Sequence, residues 1–149
     1  MTLDRIPTRR NLSDKGIDIP CTLCPLCEEK EENVNHLLLE CHVAVSFWSR
    51  FGLWWNVTIP TFHRPEDPLV WTWFALNNKK DGLCLQTATI AVLTSIWRLR
   101  NGVIFDKKKV VVDIEFRRIQ ELSFQWLRSR NSKFKLELHE WISNPIKTM

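Results

Sequence analysis

At 149 residues the chain is long enough for one sizeable hydrophobic core or two small ones. No apolar run approaches the roughly eighteen residues of a membrane span, and five cysteines, an odd number, argue against a closed disulfide framework. The formal charge of +4 is uneven: residues 79–149 hold fourteen Lys/Arg against seven Asp/Glu, whereas residues 1–50 hold six against eight.

The N-terminal stretch Met1 to Arg10 is polar and basic and reads as lacking a secretory leader. Residues 8–16 predict a short helix closed by Gly16 just past its end. A dense cluster of metal-type ligands follows. Cys24, Cys27, His36 and Cys41 form a C-x2-C-x8-H-x4-C pattern within eighteen residues. Zn²⁺ favours four tetrahedral thiolate and imidazole ligands, and Cys3His is one of its closed structural sets. Pro25 pre-sets φ for a turn that aims both sulfurs of the C-x2-C pair at one ion. Cys21 offers a second C-x2-C frame, and His42 offers a Cys2His2 alternative to Cys41. Thiolates held by metal fit a reducing compartment. The expectation is one structural zinc.

His36 and Cys41 are five residues apart, which is about 140° of rotation on a regular helix. They do not easily share a face, so the helix carrying Val34, His36, Leu37 and Leu38 is expected to end or bend near Glu40-Cys41. A second helix then runs through Ala44, Phe47, Trp48 and Phe51. Residues 57–70, with Pro60, Pro65 and Pro68, read as a linker or irregular loop. Residues 69–77 are apolar nearly all round and too short to settle strand against helix, with helix the favoured reading, and a turn follows from Asn77 to Gly82.

The strongest helical pattern covers 83–105, with Ala88, Val92, Ile96 and Leu99 on one face. Residues 110–130 give another, and residues 134–142 a shorter one ended by Pro145. The fold expectation is mainly α: a small Cys3His zinc-stabilised subdomain at 5–56, a Pro-rich connection at 57–68 and a helical region at 69–145. Eight Trp fall mostly at helix-like spacing, so most are expected in the core or at docking faces. Trp54, Trp55, Trp71 and Trp73 are candidates for an exposed, self-associating surface.

Several stretches carry a family likeness. Pro7-Thr8-Arg9-Arg10-Asn11-Leu12, Cys24-Pro25-Leu26-Cys27, His36-Leu37-Leu38-Leu39-Glu40-Cys41 and Trp48 resemble the plant reverse-transcriptase zinc-binding domain. That domain lies near the C-terminus of polyproteins of non-LTR (LINE-type) retrotransposons. Ile96-Trp97-Arg98-Leu99-Arg100-Asn101-Gly102-Val103-Ile104-Phe105 resembles a W-x-x-R-N-x-x-x-F stretch found downstream in the same elements. Leu122 to Trp126 and Glu140 to Pro145 resemble their final segment. The family usually places Pro after the last Cys, where this chain has His42.

The resemblance implies a non-catalytic module. The chain has no Tyr and no Asp-Asp pair for a polymerase site, and no acidic pattern for a ribonuclease H. A thiol–imidazole enzyme built on His36 with Cys27 or Cys41 would need a third, orienting group. Expected partners are RNA or DNA, or a reverse-transcriptase domain, with no membrane and no small-molecule substrate. Arg98, Arg100, Arg117, Arg118, Arg128 and Arg130 are the candidate phosphate contacts. The alternative is a structural or protein-docking remnant without nucleic-acid affinity of its own. Element proteins work in the nucleus and cytoplasm, which sets the expected location.

Overall fold

The computed structural model describes residues 3–146. Met1 and Thr2, which open the polar N-terminal stretch, lie outside the described residues, as do Lys147 to Met149. The fold is mostly helical and has no strand among the described residues. A 3-10 turn at Leu3–Arg5 leads into α1 (Arg9–Asp14). Thr8 caps α1 by accepting the Asn11 N–H, and Gly16 leaves the helix at φ 83°, a left-handed value natural to glycine. Residues 21–33 fold back on themselves. Leu23 and Glu31 pair as an isolated bridge, and the Cys24 N–H donates to the Lys30 carbonyl at 2.7 Å.

The predicted break between His36 and Cys41 takes a specific form. His36–Glu40 is a single π-helical turn, and the Cys41 N–H closes it by donating to the His36 carbonyl at 2.6 Å. Cys41 then turns out of the helix at φ −56°, ψ 136°. α2 (His42–Trp55) starts at once and ends at Asn56 in the left-handed region. The wide turn removes the angular conflict that a regular helix would impose on residues five apart.

α3 (Asp67–Ala75) begins where the Pro-rich loop ends, with Asp67 accepting the backbone N–H groups of His63 and Arg64. It is not buried all round: Val70, Trp73 and Phe74 face solvent. α4 (Lys79–Phe105) starts within the segment expected to be a turn. The Asn78 side chain caps it by accepting the Lys80 N–H, which lets Gly82 sit in the first turns.

α4 is the central element and packs against α2, α3, the π turn and α5 (Val112–Arg130). Its length and composition would suffice to cross a membrane, but half of its most apolar window is buried inside the protein, as in a core helix. α5 carries Asp113 and Glu115 in its first turn and Arg128 and Arg130 in its last, each complementing the helix dipole.

The last helix is shorter than expected. α6 spans Leu138–Ser143, residues 134–137 lie outside any helix, and Glu137 is extended. Phe134 and Leu136 are both buried. Glu137 and Glu140 then form a capping box that starts α6.

One apolar cluster runs from Cys24 to Trp141. Trp54 and Trp55 belong to it, contrary to their expected exposure; Trp71 is partly buried and Trp73 alone of the four is largely exposed. Trp141 is fully buried with its ring edge-on to Trp54, Trp55 and Phe134. Its Nε1–H donates to the Gln120 carbonyl and to Ser123 Oγ, both at 3.1 Å. Trp54 Nε1 donates back to the Trp141 carbonyl at 2.9 Å. The polar tips of these two indoles thus have partners inside the core.

Candidate metal centre

Four side chains converge between the fold-back at 21–33 and the start of α2. The ligand atoms of Cys24, Cys27, His36 and Cys41 all lie within 4.8 Å of one another. Cys24 Sγ and Cys41 Sγ are 4.0 Å apart, far beyond a disulfide bond of about 2.05 Å. Cys27 Sγ lies 3.2 Å from His36 Nε2. With metal–sulfur distances of about 2.3 Å, a tetrahedral site has sulfur–sulfur edges of about 3.8 Å. The spacing therefore fits one tetrahedral ion. Cys24, His36 and Cys41 are buried, and Cys27 gives the cluster its partial opening to solvent.

Local structure sets each ligand. Cys24 and Cys27 sit on a turn in which the Glu28 N–H donates to the Cys24 carbonyl at 2.8 Å, with Glu28 left-handed at φ 58°. His36 opens the π turn, its backbone N–H held by Asn33 Oδ1 at 2.8 Å. Cys41 is the residue at which that turn stops and α2 begins. Cys21 and His42 are exposed and outside the cluster.

The two buried thiols are pushed in opposite directions. The hydrogen bond from Cys24 to Cys41 drives the Cys24 thiol far above its ordinary range, and burial adds to that. The same bond holds Cys41 below its ordinary value, against the opposing effect of burial. The backbone N–H groups of Val43 and Ala44, at the positive end of α2, act with it. Burial lowers the His36 pKa, which favours the neutral imidazole that ligates metal. His36 Nδ1 is buried without a hydrogen-bond partner among the described residues, while the ring's other nitrogen faces Cys27 Sγ.

Residues 1–48, about a third of the chain, match the family described as zinc-binding in reverse transcriptase. The match covers all four clustered ligands. Comparison with curated proteins and with solved structures finds no match. Residues 1–48 are thus similar to a zinc-binding domain of reverse transcriptases, with helices following them.

The six candidate arginines have different surroundings. Arg98 and Arg118 line a common groove between α4 and α5. Arg117 pairs with Glu121 at 3.2 Å. Arg128 lies 5.7 Å over the Phe124 ring and Arg130 lies 5.9 Å over Trp126. Arg100 is the correction. It is buried, its guanidinium binds both carboxylate oxygens of Glu32 at 2.6 and 2.9 Å, and it stacks 4.8 Å over Trp97. A cation spent in this way has nothing left for a phosphate.

Sequence reasoning missed Glu32, which is fully buried. It lies in the acidic run Glu28-Glu29-Lys30-Glu31-Glu32, where four carboxylates look alike. The pairing of Glu32 N–H with the Thr22 carbonyl at 2.8 Å fixes its position on the fold-back.

Proposed function

We propose that the protein is a non-catalytic module of a retroelement reverse-transcriptase polyprotein, knitted by one zinc ion and supporting contact with RNA or DNA. The observation that carries this reading is the convergence of Cys24, Cys27, His36 and Cys41 on one ion-sized space inside the matched domain. These residues would hold the zinc as a closed set, supplying fold rather than a reactive water. The Cys27–His36 approach would also suit a thiol–imidazole nucleophile, but His36 Nδ1 finds no orienting partner among the described residues.

The LINE-type likeness of the 96–105 stretch supports a position of the module near the end of such a polyprotein. The basic excess after residue 79 supports the nucleic-acid role. The expected location is the nucleus or cytoplasm, with the polymerase domain as a further partner. The test is metal analysis of purified protein, followed by titration with single-stranded RNA at rising salt. One zinc per chain and a salt-dependent affinity are expected; affinity without a salt slope would sink the nucleic-acid role.

A second reading, a docking remnant, is favoured by one observation. Val70, Trp73 and Phe74 on α3 and Leu83 on α4 are half or more exposed. Self-association of the chain with no RNA affinity would select it.

A further inference from the structure

A groove of about 270 Å³ lies between α4 and α5. Ser95 and Arg98 line it from α4, Arg118 and Gln125 from α5, and Lys108 from the connecting loop. Two carboxylates share it, Glu115 and Glu121, and Glu121 is taken by Arg117. Glu115 is buried, and its Oε1 receives both Lys108 Nζ at 2.8 Å and Arg118 Nη1 at 2.9 Å. One carboxylate oxygen therefore holds two cations in place and neutralises only one of them.

Arg98 adds an exposed charge with no acid three or four residues away on its helix, where Thr94, Ser95, Asn101 and Gly102 stand. The Lys108 position is built by the backbone. Lys107 is left-handed at φ 52°, and the Asp106 and Lys108 N–H groups both donate to the Gly102 carbonyl. A Cβ on Gly102 would lie 3.1 Å from Lys108 Cδ, so the glycine makes room for the lysine stem to cross α4.

We infer that this groove seats a backbone phosphate of single-stranded nucleic acid, with Arg98 as its principal donor and Lys108 and Arg118 flanking it. The inference rests on the nucleic-acid reading above and gives that reading a site. A phosphate oxyanion is held best by donors already fixed in place whose charge is not cancelled. Arg98 supplies the uncancelled charge, and Glu115 supplies the fixing of its neighbours. Ser95 and Gln125 add neutral hydrogen-bonding groups in the same groove.

The experiment uses the full zinc-loaded chain and fluorescein-labelled oligouridine of roughly fifteen nucleotides, a length that spans a typical single-strand site. Anisotropy titrations at several chloride concentrations compare the parent with Arg98→Gln, Gly102→Ala and Lys135→Gln. Lys135 is exposed and outside the groove. Arg98→Gln is expected to weaken binding by about fivefold and to flatten the log–log salt slope by about 0.7, one phosphate contact on a single strand. Gly102→Ala, which displaces Lys108 without removing a charge, is expected to weaken binding in the same direction. Lys135→Gln is expected to leave affinity and slope unchanged. Equal effects of Arg98→Gln and Lys135→Gln on a chain that binds RNA would overturn the groove and leave the broader reading standing. No salt-dependent binding by the parent would overturn both. Zinc content and unfolding midpoint equal to the parent's verify that Arg98→Gln is folded.

Discussion

Arg100 and Glu32, 68 residues apart, meet through two short guanidinium–carboxylate hydrogen bonds sealed from solvent. Glu32 Oε2 also accepts the backbone N–H of Arg9 at 2.6 Å, at the start of α1. One carboxylate therefore joins the N-terminal helix, the loop between Cys27 and His36, and the central helix α4. Removing one partner of a buried ion pair leaves an uncompensated charge, at a cost of about 3–5 kcal/mol. Arg100→Met is expected to lower stability by that order in urea denaturation, and Arg100→Lys is expected not to restore it, because an ammonium cannot make the two-point contact. Recovery of much of the loss in the double variant Glu32→Met/Arg100→Met would show that the pair supplies pairing specificity more than net stability.

The same connection sets how far metal loss reaches. Cys27 and His36 of the Cys3His cluster flank the loop that carries Glu32, and Glu32 grips α4. Chelation of the metal is therefore expected to loosen the Trp54–Trp55–Trp141 cluster as well as the matched first third. The measurement is near-ultraviolet circular dichroism during titration with a chelator. A tryptophan signal untouched after complete metal removal would refute the linkage. Cys41→Ser is expected to release the ion, and Cys21→Ser to retain it, since Cys21 is exposed and outside the cluster.

Acid should weaken the metal-free chain through His36. Burial lowers its folded pKa beneath the usual 6.5. The unfolded chain then binds a proton at a higher pH than the folded one, so stability is intact above about pH 6.5 and falls as pH drops toward the folded value. Urea midpoints of the metal-free chain between about pH 7.5 and 5 are expected to decline, and His36→Gln is expected to flatten that decline. Metal affinity should fall over the same range, because protons compete for the imidazole and the thiolates.

Trp141 is the keystone of the aromatic cluster, fully buried and hydrogen-bonded through its Nε1 and its carbonyl. Trp141→Ala is expected to cost about 3–5 kcal/mol, the usual range for emptying a large aromatic site. Trp73→Ala, at a position 73% exposed, is expected to change stability little. Thermal melts of the two variants make the comparison directly.

Cys84 gives a smaller contrast. Burial pushes its thiol up to about 11, so it stays protonated at neutral pH. It is expected to resist alkylation in the folded, zinc-loaded chain, while exposed Cys21 reacts freely. Mass spectrometry after brief labelling reads this out.

The Cys3His cluster, the helix break at Cys41 and the major helices were legible from the chain itself because they depend on neighbours. Four ligands within eighteen residues and apolar residues at helical spacing are local patterns. The early start of α4 and the non-helical run from Phe134 escaped because a cap at Asn78 and the burial of Phe134 and Leu136 outweighed local periodicity.

Tertiary structure alone decided what the charges and the tryptophans do. Arg98 and Arg100 stand two residues apart on one helix, and nothing in their order separates them. Folding brings the buried Glu32 against Arg100 and leaves Arg98 over the groove with its charge unspent. A side chain's neighbours along the chain determine whether it is helical. Its neighbours across the core determine whether its charge is cancelled, because burial strips away the water that would otherwise treat both arginines alike.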